Sequence, residues 1–411
     1  MQRITAFLSI IFLAGVIGGC ATTTQPAPVR DARTTQKQAT PAVIVPTPAA
    51  SLPAAETPTA KSLPQTPIAT PTLAEKPAPS KPGASSPHIG LLLPLSAPTF
   101  RQPAEAVKQG VLAAAKAQPD MPTVRVYPTS DQVTNILAAY QQAVDGGARV
   151  IIGPLTKNAV TALAESDITA VPTLALSVPE GETASPNLYL FGLSLDAETR
   201  QVAQLAANEG RNSVLIVASN NALGKRLQAT FGEAWQRLGG KIVDQLNFTP
   251  STDLNALHDK VEKLQPESIF LAVNAQEARL VRPYLATATP IPTYTTSQAF
   301  SGASEAQKNV DLAGVRFLDM PWMLQPDHPA VMIYPHPEKA LGIDGERLYA
   351  MGIDAYRLAQ LFYRGEMPAG GVVLDGVTGQ ISLASGRQFT RELTAAEFQA
   401  DVVVVLDNAK P

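Results

Sequence analysis

From His88 onward, short apolar runs alternate with amphipathic stretches, and this alternation limits the fold more than any other feature of the chain. The run His88-Ile89-Gly90-Leu91-Leu92-Leu93-Pro94-Leu95 reads as a buried strand stopped by proline, which has no N–H to donate to a ladder. Further strands are predicted over 124–127, 150–153, 171–176, 213–218, 241–248, 268–273 and 291–295. Helices are predicted between them over 104–117, 135–144, 158–164, 197–209, 222–238, 253–264 and 276–286. A late helix over 346–363 keeps an apolar stripe at Leu348, Met351, Ala355, Leu358 and Phe362, and Gly365 ends it. Strands that alternate with helices mean βαβ units and parallel sheets. The pattern runs through twice and then returns. It predicts an α/β protein of two Rossmann-like lobes with parallel sheets and a hinge. Lobe 1 is expected over about 88–195 and 317–372, and lobe 2 over 196–316 and 373–411. Hinges are expected after Ser194 and near 314–323.

The first 87 residues have a different composition. Of the 36 prolines, 14 fall between Ala21 and Pro87, a stretch with no Phe, Trp or Tyr. Without large apolar side chains a chain cannot offset its conformational entropy, so residues 20–87 are expected to be a disordered Pro/Ala/Thr-rich tether. Residues 1–19 read as a signal peptide: Arg3, then an apolar run over 4–17 that is too short for a permanent span. Ile17-Gly18-Gly19-Cys20 resembles a bacterial lipobox, which makes Cys20, the only cysteine, the expected site of lipid attachment. The other reading is an ordinary signal peptide with a chance cysteine. Ala21 stands where an inner-membrane retention signal would place Asp, so the resemblance implies an outer-membrane anchor facing the periplasm.

Charge and cysteine count exclude several functions. Residues 1–20 carry +1 and residues 21–87 carry six basic and three acidic residues, so a total of −3 leaves about −7 for 88–411. An acidic domain without a Lys/Arg cluster argues against nucleic acid. One cysteine excludes an internal disulfide and Cys-based metal sites. His88, His258, His328 and His336 lack metal-ligand spacing. No nucleophile elbow, Walker loop or dinucleotide fingerprint is present, so no cofactor and no enzymatic activity are expected.

Several segments resemble known proteins. Ile89-Gly90-Leu91-Leu92-Leu93-Pro94-Leu95-Ser96, Ile152-Gly153-Pro154-Leu155-Thr156 and Val171-Pro172-Thr173-Leu174 are similar to the opening of type I periplasmic binding proteins. More specifically, Arg347-Leu348-Tyr349-Ala350-Met351-Gly352-Ile353-Asp354-Ala355-Tyr356-Arg357-Leu358-Ala359 resembles the hallmark of the LppC family. The tail Gly376-Val377-Thr378-Gly379-Gln380-Ile381-Ser382-Leu383, then Arg391-Glu392-Leu393, fits it too. The resemblance implies an outer-membrane lipoprotein that stimulates a class A penicillin-binding protein, a peptidoglycan synthase. Longer members carry a helical, tetratricopeptide-like domain where this sequence has its Pro-rich stretch.

Ser96, Thr156, Ser177, Asn221 and Ser297 follow predicted strands and form the candidate cleft set. Thr156 sits before a helix, where free N–H groups can bind an anion, but plain helix capping is the preferred reading of the same residue. Against an amino-acid receptor, the loops at 219–224 and 295–298 offer neither an aromatic nor a carboxylate to pair with a ligand amine. Trp322, Met323 and Tyr334 lie in an irregular apolar-rich stretch and form the candidate partner surface, a buried hinge loop being the other reading. The expected function is activation of a class A penicillin-binding protein, with a solute-binding lipoprotein for an amino acid or other small polar ligand as the alternative.

Overall fold

The computed structural model describes residues 86–179, 185–302, 309–400 and 402–406. The expected signal peptide, Cys20 and the tether lie outside the described residues.

The first half is a run of βα units: β1 (His88–Leu93), α1 (Arg101–Lys116), β2 (Val124–Pro128), α2 (Val133–Asp145), β3 (Ala148–Ile152), α3 (Lys157–Ala164), β4 (Thr173–Ala175) and β5 (Leu188–Leu190). Its five strands form one all-parallel sheet in the order β2-β1-β3-β4-β5. The pattern restarts with α4 (Leu195–Asn208), β6 (Ser213–Ser219), α5 (Ala222–Arg237), β7 (Lys241–Phe248), α6 (Leu254–Leu264), β8 (Ser268–Ala272), α7 (Ala275–Val281) and β9 (Thr293–Thr295). It continues through β10 (Val315–Asp319) and two single-turn helices, α8 (Pro321–Leu324) and α9 (Pro329–Met332), to the long α10 (Ile343–Arg364). Five strands close the chain: β11 (Gly371–Gly376), β12 (Gly379–Leu383), β13 (Phe389–Glu392), β14 (Thr394–Gln399) and β15 (Val402–Val405).

The second sheet has seven strands in the order β15-β14-β10-β9-β8-β6-β7. Strands β6 to β10 are parallel, while β14 and β15 run antiparallel at one edge. The last hairpins, β11-β12-β13, make a small antiparallel sheet of their own.

Two expectations about the seam change. The stretch expected as a hinge near 314–323 begins with a full strand, β10, between β9 and β14 in the second sheet. The expected boundary between 316 and 317 therefore cuts a strand that is buried with its neighbours, and the chain leaves the second sheet only after Asp319. Of the expected return over 373–411, only β14 and β15 join the second sheet, since β11 to β13 pair with one another.

Both parallel sheets are covered on both faces, which is why their central strands read as apolar runs rather than alternating ones. The period of two sorts them. Ile89, Leu91 and Leu93 pack with Val107 and Val111 of α1 and Ile353 and Leu358 of α10, while Leu92 packs with Ile136 and Tyr140 of α2. In the second sheet Val214 and Ile216 meet Phe231 and Trp235 of α5, while Leu215 and Val217 meet Leu257 and Val261 of α6. Helices α1 and α10 cross at glycines. A Cβ on Gly110 would lie 1.9 Å from the Tyr349 carbonyl oxygen, and one on Gly352 would lie 2.3 Å from that of Val107. Backbone touches backbone there, and no larger residue fits without moving a helix.

Candidate functional site

In doubly wound sheets, loops at the carboxyl ends of strands form the ligand crevice. The five cleft candidates sit on such loops. Ser96 is exposed after β1, and its N–H donates to the Thr129 carbonyl at 3.0 Å. Thr156 is the residue before α3, yet its hydroxyl makes no cap bond. Ser177 is half-buried after β4, where the Leu176 N–H donates to the Pro154 carbonyl at 2.8 Å and ties the 153–156 and 176–177 loops together. Asn221 caps α5, its side-chain oxygen accepting the Gly224 N–H at 2.8 Å.

Ser297 departs furthest from the expectation. It is 2% exposed, and its hydroxyl and N–H both donate to the Glu198 carboxylate, at 3.1 and 2.5 Å. It lies inside the protein rather than on a cleft wall, because α4 brings a carboxylate from 99 residues away onto it. None of the five candidates lines the 710 Å³ cavity next to Ser297, although Gln298 and Arg347 do.

Other polar groups on the second sheet's loops are engaged internally, although the buried Thr296 hydroxyl has no hydrogen-bond partner. The Ser219 hydroxyl donates to Glu277. Glu277 accepts the Asn274 N–H at 3.1 Å, while Asn274 accepts the Glu277 N–H at 3.0 Å, a reciprocal capping box that starts α7. Groups held in this way are not free to grip a small polar ligand.

What these residues build instead is a buried ionic joint. Arg347, on the first turns of α10, donates through Nη2 to Asp319 Oδ2 at 2.7 Å and to the Ser297 carbonyl at 2.9 Å. Its Nη1 reaches Asp344 at 3.2 Å. Helix α10 packs on α1 and β3, whereas Asp319 ends β10 and Ser297 follows β9, so the joint pins the two halves of the protein together. One guanidinium serves two buried carboxylates. Asp319 takes it directly; burial and the nearby Asp319 charge push the Glu198 carboxyl up to about 7, against the pull of Ser297 and Arg347.

A third buried carboxylate, Asp354, explains the centre of the Arg347–Ala359 block. Asp354 accepts from Arg357 Nη1 at 2.9 Å, from the Val377 and Thr378 N–H groups at 3.1 and 2.7 Å, and from the Thr378 hydroxyl at 2.7 Å. Burial raises its pKa and these four donors oppose the rise. The turn between β11 and β12 is thereby fastened to α10. Arg347, Asp354 and Arg357 are thus positioning residues. The signal that finds them is a charge inside an otherwise apolar helical stripe, which sequence alone cannot distinguish from a solvated face. Glu198 and Asp319 carry no local signal at all.

The expected partner surface is also corrected in part. Trp322 is 4% and Tyr334 7% exposed, so neither forms a surface, and Met323 is half-buried. Trp322 Nε1 donates to Glu346 at 3.0 Å and its ring sits 5.4 Å from that of Tyr349. An amphipathic ring whose N–H finds a partner on α10 gains more inside than outside. The exposed apolar residues of this stretch are Met332 and Ile333, at 67% and 59%.

With this geometry in place, the similarity to known proteins can be read. The family description "LppC putative lipoprotein" matches residues 83–401. The chain belongs to the LppC family. It is 29% identical over 352 residues to a protein of Pantoea ananatis named penicillin-binding protein activator LpoA, covering 74% of this chain and 51% of that one. A protein of the same name from Pectobacterium parmentieri is 29% identical over 329 residues, covering 69% of this chain and 48% of that one. The chain thus spans about half the length of the curated relatives it matches. Among solved structures it resembles the "LpoA (YraM) C-domain from Haemophilus influenzae, a regulator of PBP1A", with 26% identity and a TM-score of 0.64, over 78% of this chain and all of that one. It also resembles a "putative branched-chain amino acid ABC transporter" from Chromobacterium violaceum, with 37% identity and a TM-score of 0.65, over 76% of this chain and all of that one. The fold is that of periplasmic-binding-protein-like domains, as the resemblance of 89–96, 152–156 and 171–174 implied. Among the described residues no helix is long and apolar enough to cross a membrane.

Proposed function

We propose that this LppC protein is a non-enzymatic activator of a class A penicillin-binding protein, anchored in the outer membrane through acylated Cys20. The observation that carries this reading is the match of the folded part to the whole of a solved LpoA C-domain described as a regulator of PBP1A. The internal engagement of Ser219, Asn221, Asn274 and Ser297 supports it, because groups already bonded within the fold suit a scaffold better than a ligand trap. The region before the folded part would supply the reach from membrane to synthase.

The test is to add the full chain to a class A synthase and to follow glycan polymerisation and peptide cross-linking. Stimulation with co-purification is expected, and the absence of both would overturn the reading. Changing Cys20→Ala is expected to release the protein from membranes, and retention would remove the anchor assignment. The likeness to the Chromobacterium protein favours a second reading, a solute-binding lipoprotein. A rise in melting temperature with branched-chain amino acids, by the linkage of ligand to folded state, would support that one.

A further inference from the structure

We propose that the pocket lined by α8 and β15 is a ligand site, and that it takes a small, apolar, uncharged molecule whose carbonyl oxygen is held by Asn309. This inference does not depend on the proposed function, and none of the five cleft candidates lines the pocket.

The pocket has a volume of about 510 Å³, within the range of small-molecule sites, ~300–1,000 Å³. Phe300, Trp322, Met323, Leu324, Val402 and Val403 give it a largely apolar lining. Phe300 and Trp322 are buried while Val402 is 51% exposed, so the pocket runs from the core to the surface. Three polar residues interrupt the lining: Asn309, His336 and Glu346. Glu346 takes the Trp322 N–H at 3.0 Å, and the His336 ring lies 4.5 Å from that of Trp322. Trp322 therefore offers a ligand its ring and no donor.

Asn309 is the lining residue whose bonding the fold leaves unfinished. It is 1% exposed, and Arg279 Nη2 donates to its Oδ1 at 3.3 Å. That bond fixes the amide's orientation, because the reversed amide would set donor against donor. The two ends of a planar carboxamide point apart, so Nδ2 faces away from Arg279, and it has no hydrogen-bond partner. A buried donor without an acceptor is costly, and native folds keep few of them. Service to Arg279 does not explain it. An aspartate would hold a guanidinium more strongly, and Arg279 is also bonded to the Ser301 hydroxyl at 2.8 Å. A donor left over in an apolar pocket calls for an acceptor brought by a ligand. The Glu346 carboxylate in the lining and the −7 of residues 88–411 disfavour an anion, so the acceptor is the oxygen of a neutral amide or ester rather than a carboxylate.

Calorimetric titration of the full chain in detergent tests this, at pH 8, above the usual histidine range. The probes are N-acetylleucinamide, a neutral apolar amide, and N-acetylleucine, its carboxylate counterpart. Saturable binding of the amide is expected, with the carboxylate bound about tenfold more weakly. Asn309→Asp keeps the oxygen that Arg279 uses and puts an acceptor where the donor was, so it is expected to weaken the amide by about tenfold or more. Glu346→Gln keeps an acceptor for Trp322 and is expected to narrow the gap between the two probes. The melting temperature of each free variant checks that it is folded, and its rise with probe gives a second readout. Absence of saturable binding to the natural chain would overturn the proposal, whatever the variants do. Equal amide affinity in the natural chain and Asn309→Asp would overturn it too, as would N-acetylleucine binding the natural chain as tightly as the amide.

Discussion

Replacing Glu198 by glutamine tests whether burial or ion pairing governs the joint between the two halves. Glu198 is 6% exposed, and Ser297 donates to both of its carboxylate oxygens. Of the cations near it, Arg347 is committed to Asp319 at 2.7 Å, and Arg391 feels the Glu198, Asp319 and Asp354 charges together. Burial and the Asp319 charge therefore set the Glu198 carboxyl at about 7, against an ordinary 4.5. For an acid whose folded pKa is raised, the folded state holds its proton longer than the unfolded state. The contribution to stability is fully present below about 4.5, declines as pH rises to about 7, and stays flat above that. At 1.36 kcal/mol per pH unit the decline amounts to roughly 3 kcal/mol. Glutamine imitates the protonated acid: its oxygen accepts the Ser297 N–H and its amide can donate to the Ser297 hydroxyl. Urea unfolding of both chains from pH 4.5 to 8 gives the difference, in which all other titrations cancel. Near pH 4.5 the two are expected to be equally stable; at pH 8 the glutamine variant is expected to be more stable by about 3 kcal/mol. A glutamine variant less stable than the natural chain at pH 8, or a difference that ignores pH, would refute the reasoning and show that attraction to Arg347 outweighs burial.

Three further outcomes are expected. Arg347→Ala strands Asp319 and the Ser297 carbonyl without their donor and should destabilise by about 3–5 kcal/mol in urea unfolding. Gly110→Ala places a methyl 1.9 Å from the Tyr349 carbonyl oxygen and should cost about 1–3 kcal/mol by forcing α1 from α10, read as a lower unfolding midpoint. Met332→Asp with Ile333→Asp alters side chains that are mostly in solvent, so unfolding should move by less than about 0.5 kcal/mol, whereas stimulation of the synthase should fall if the partner meets this stretch. Unchanged stimulation would place the partner elsewhere.

The regular part of the fold was legible because its signal is local. Leu91 and Leu93 face one helix layer and Leu92 the other, and a run buried on both faces betrays a parallel strand without reference to the rest of the chain. The signal fails where elements are short or antiparallel. Leu188–Leu190 has too few residues to show any period, and the strand at Val315–Asp319 reads as a crossover because nothing local distinguishes it from one. The irregular, proline-rich stretch around Trp322 and Tyr334 admits both a partner surface and a buried hinge loop; the structure buries both side chains, and Trp322 bonds to α10. The hallmark block was recognised, but the work of Arg347 and Asp354 within it was not.

By itself the sequence determined the alternation of strands and helices from His88 onward, and with it the parallel strands of two sheets sandwiched by helices. That follows from periodicity, which is written into neighbouring residues. Only the tertiary structure decided which polar groups are spoken for. Ser297 meets Glu198 across 99 positions, and Thr378 meets Asp354 across 24. Such pairings depend on how whole elements pack, and a buried carboxylate looks the same in sequence as one in water. The loops that looked like a ligand cleft are therefore, in large part, the fastenings of the fold.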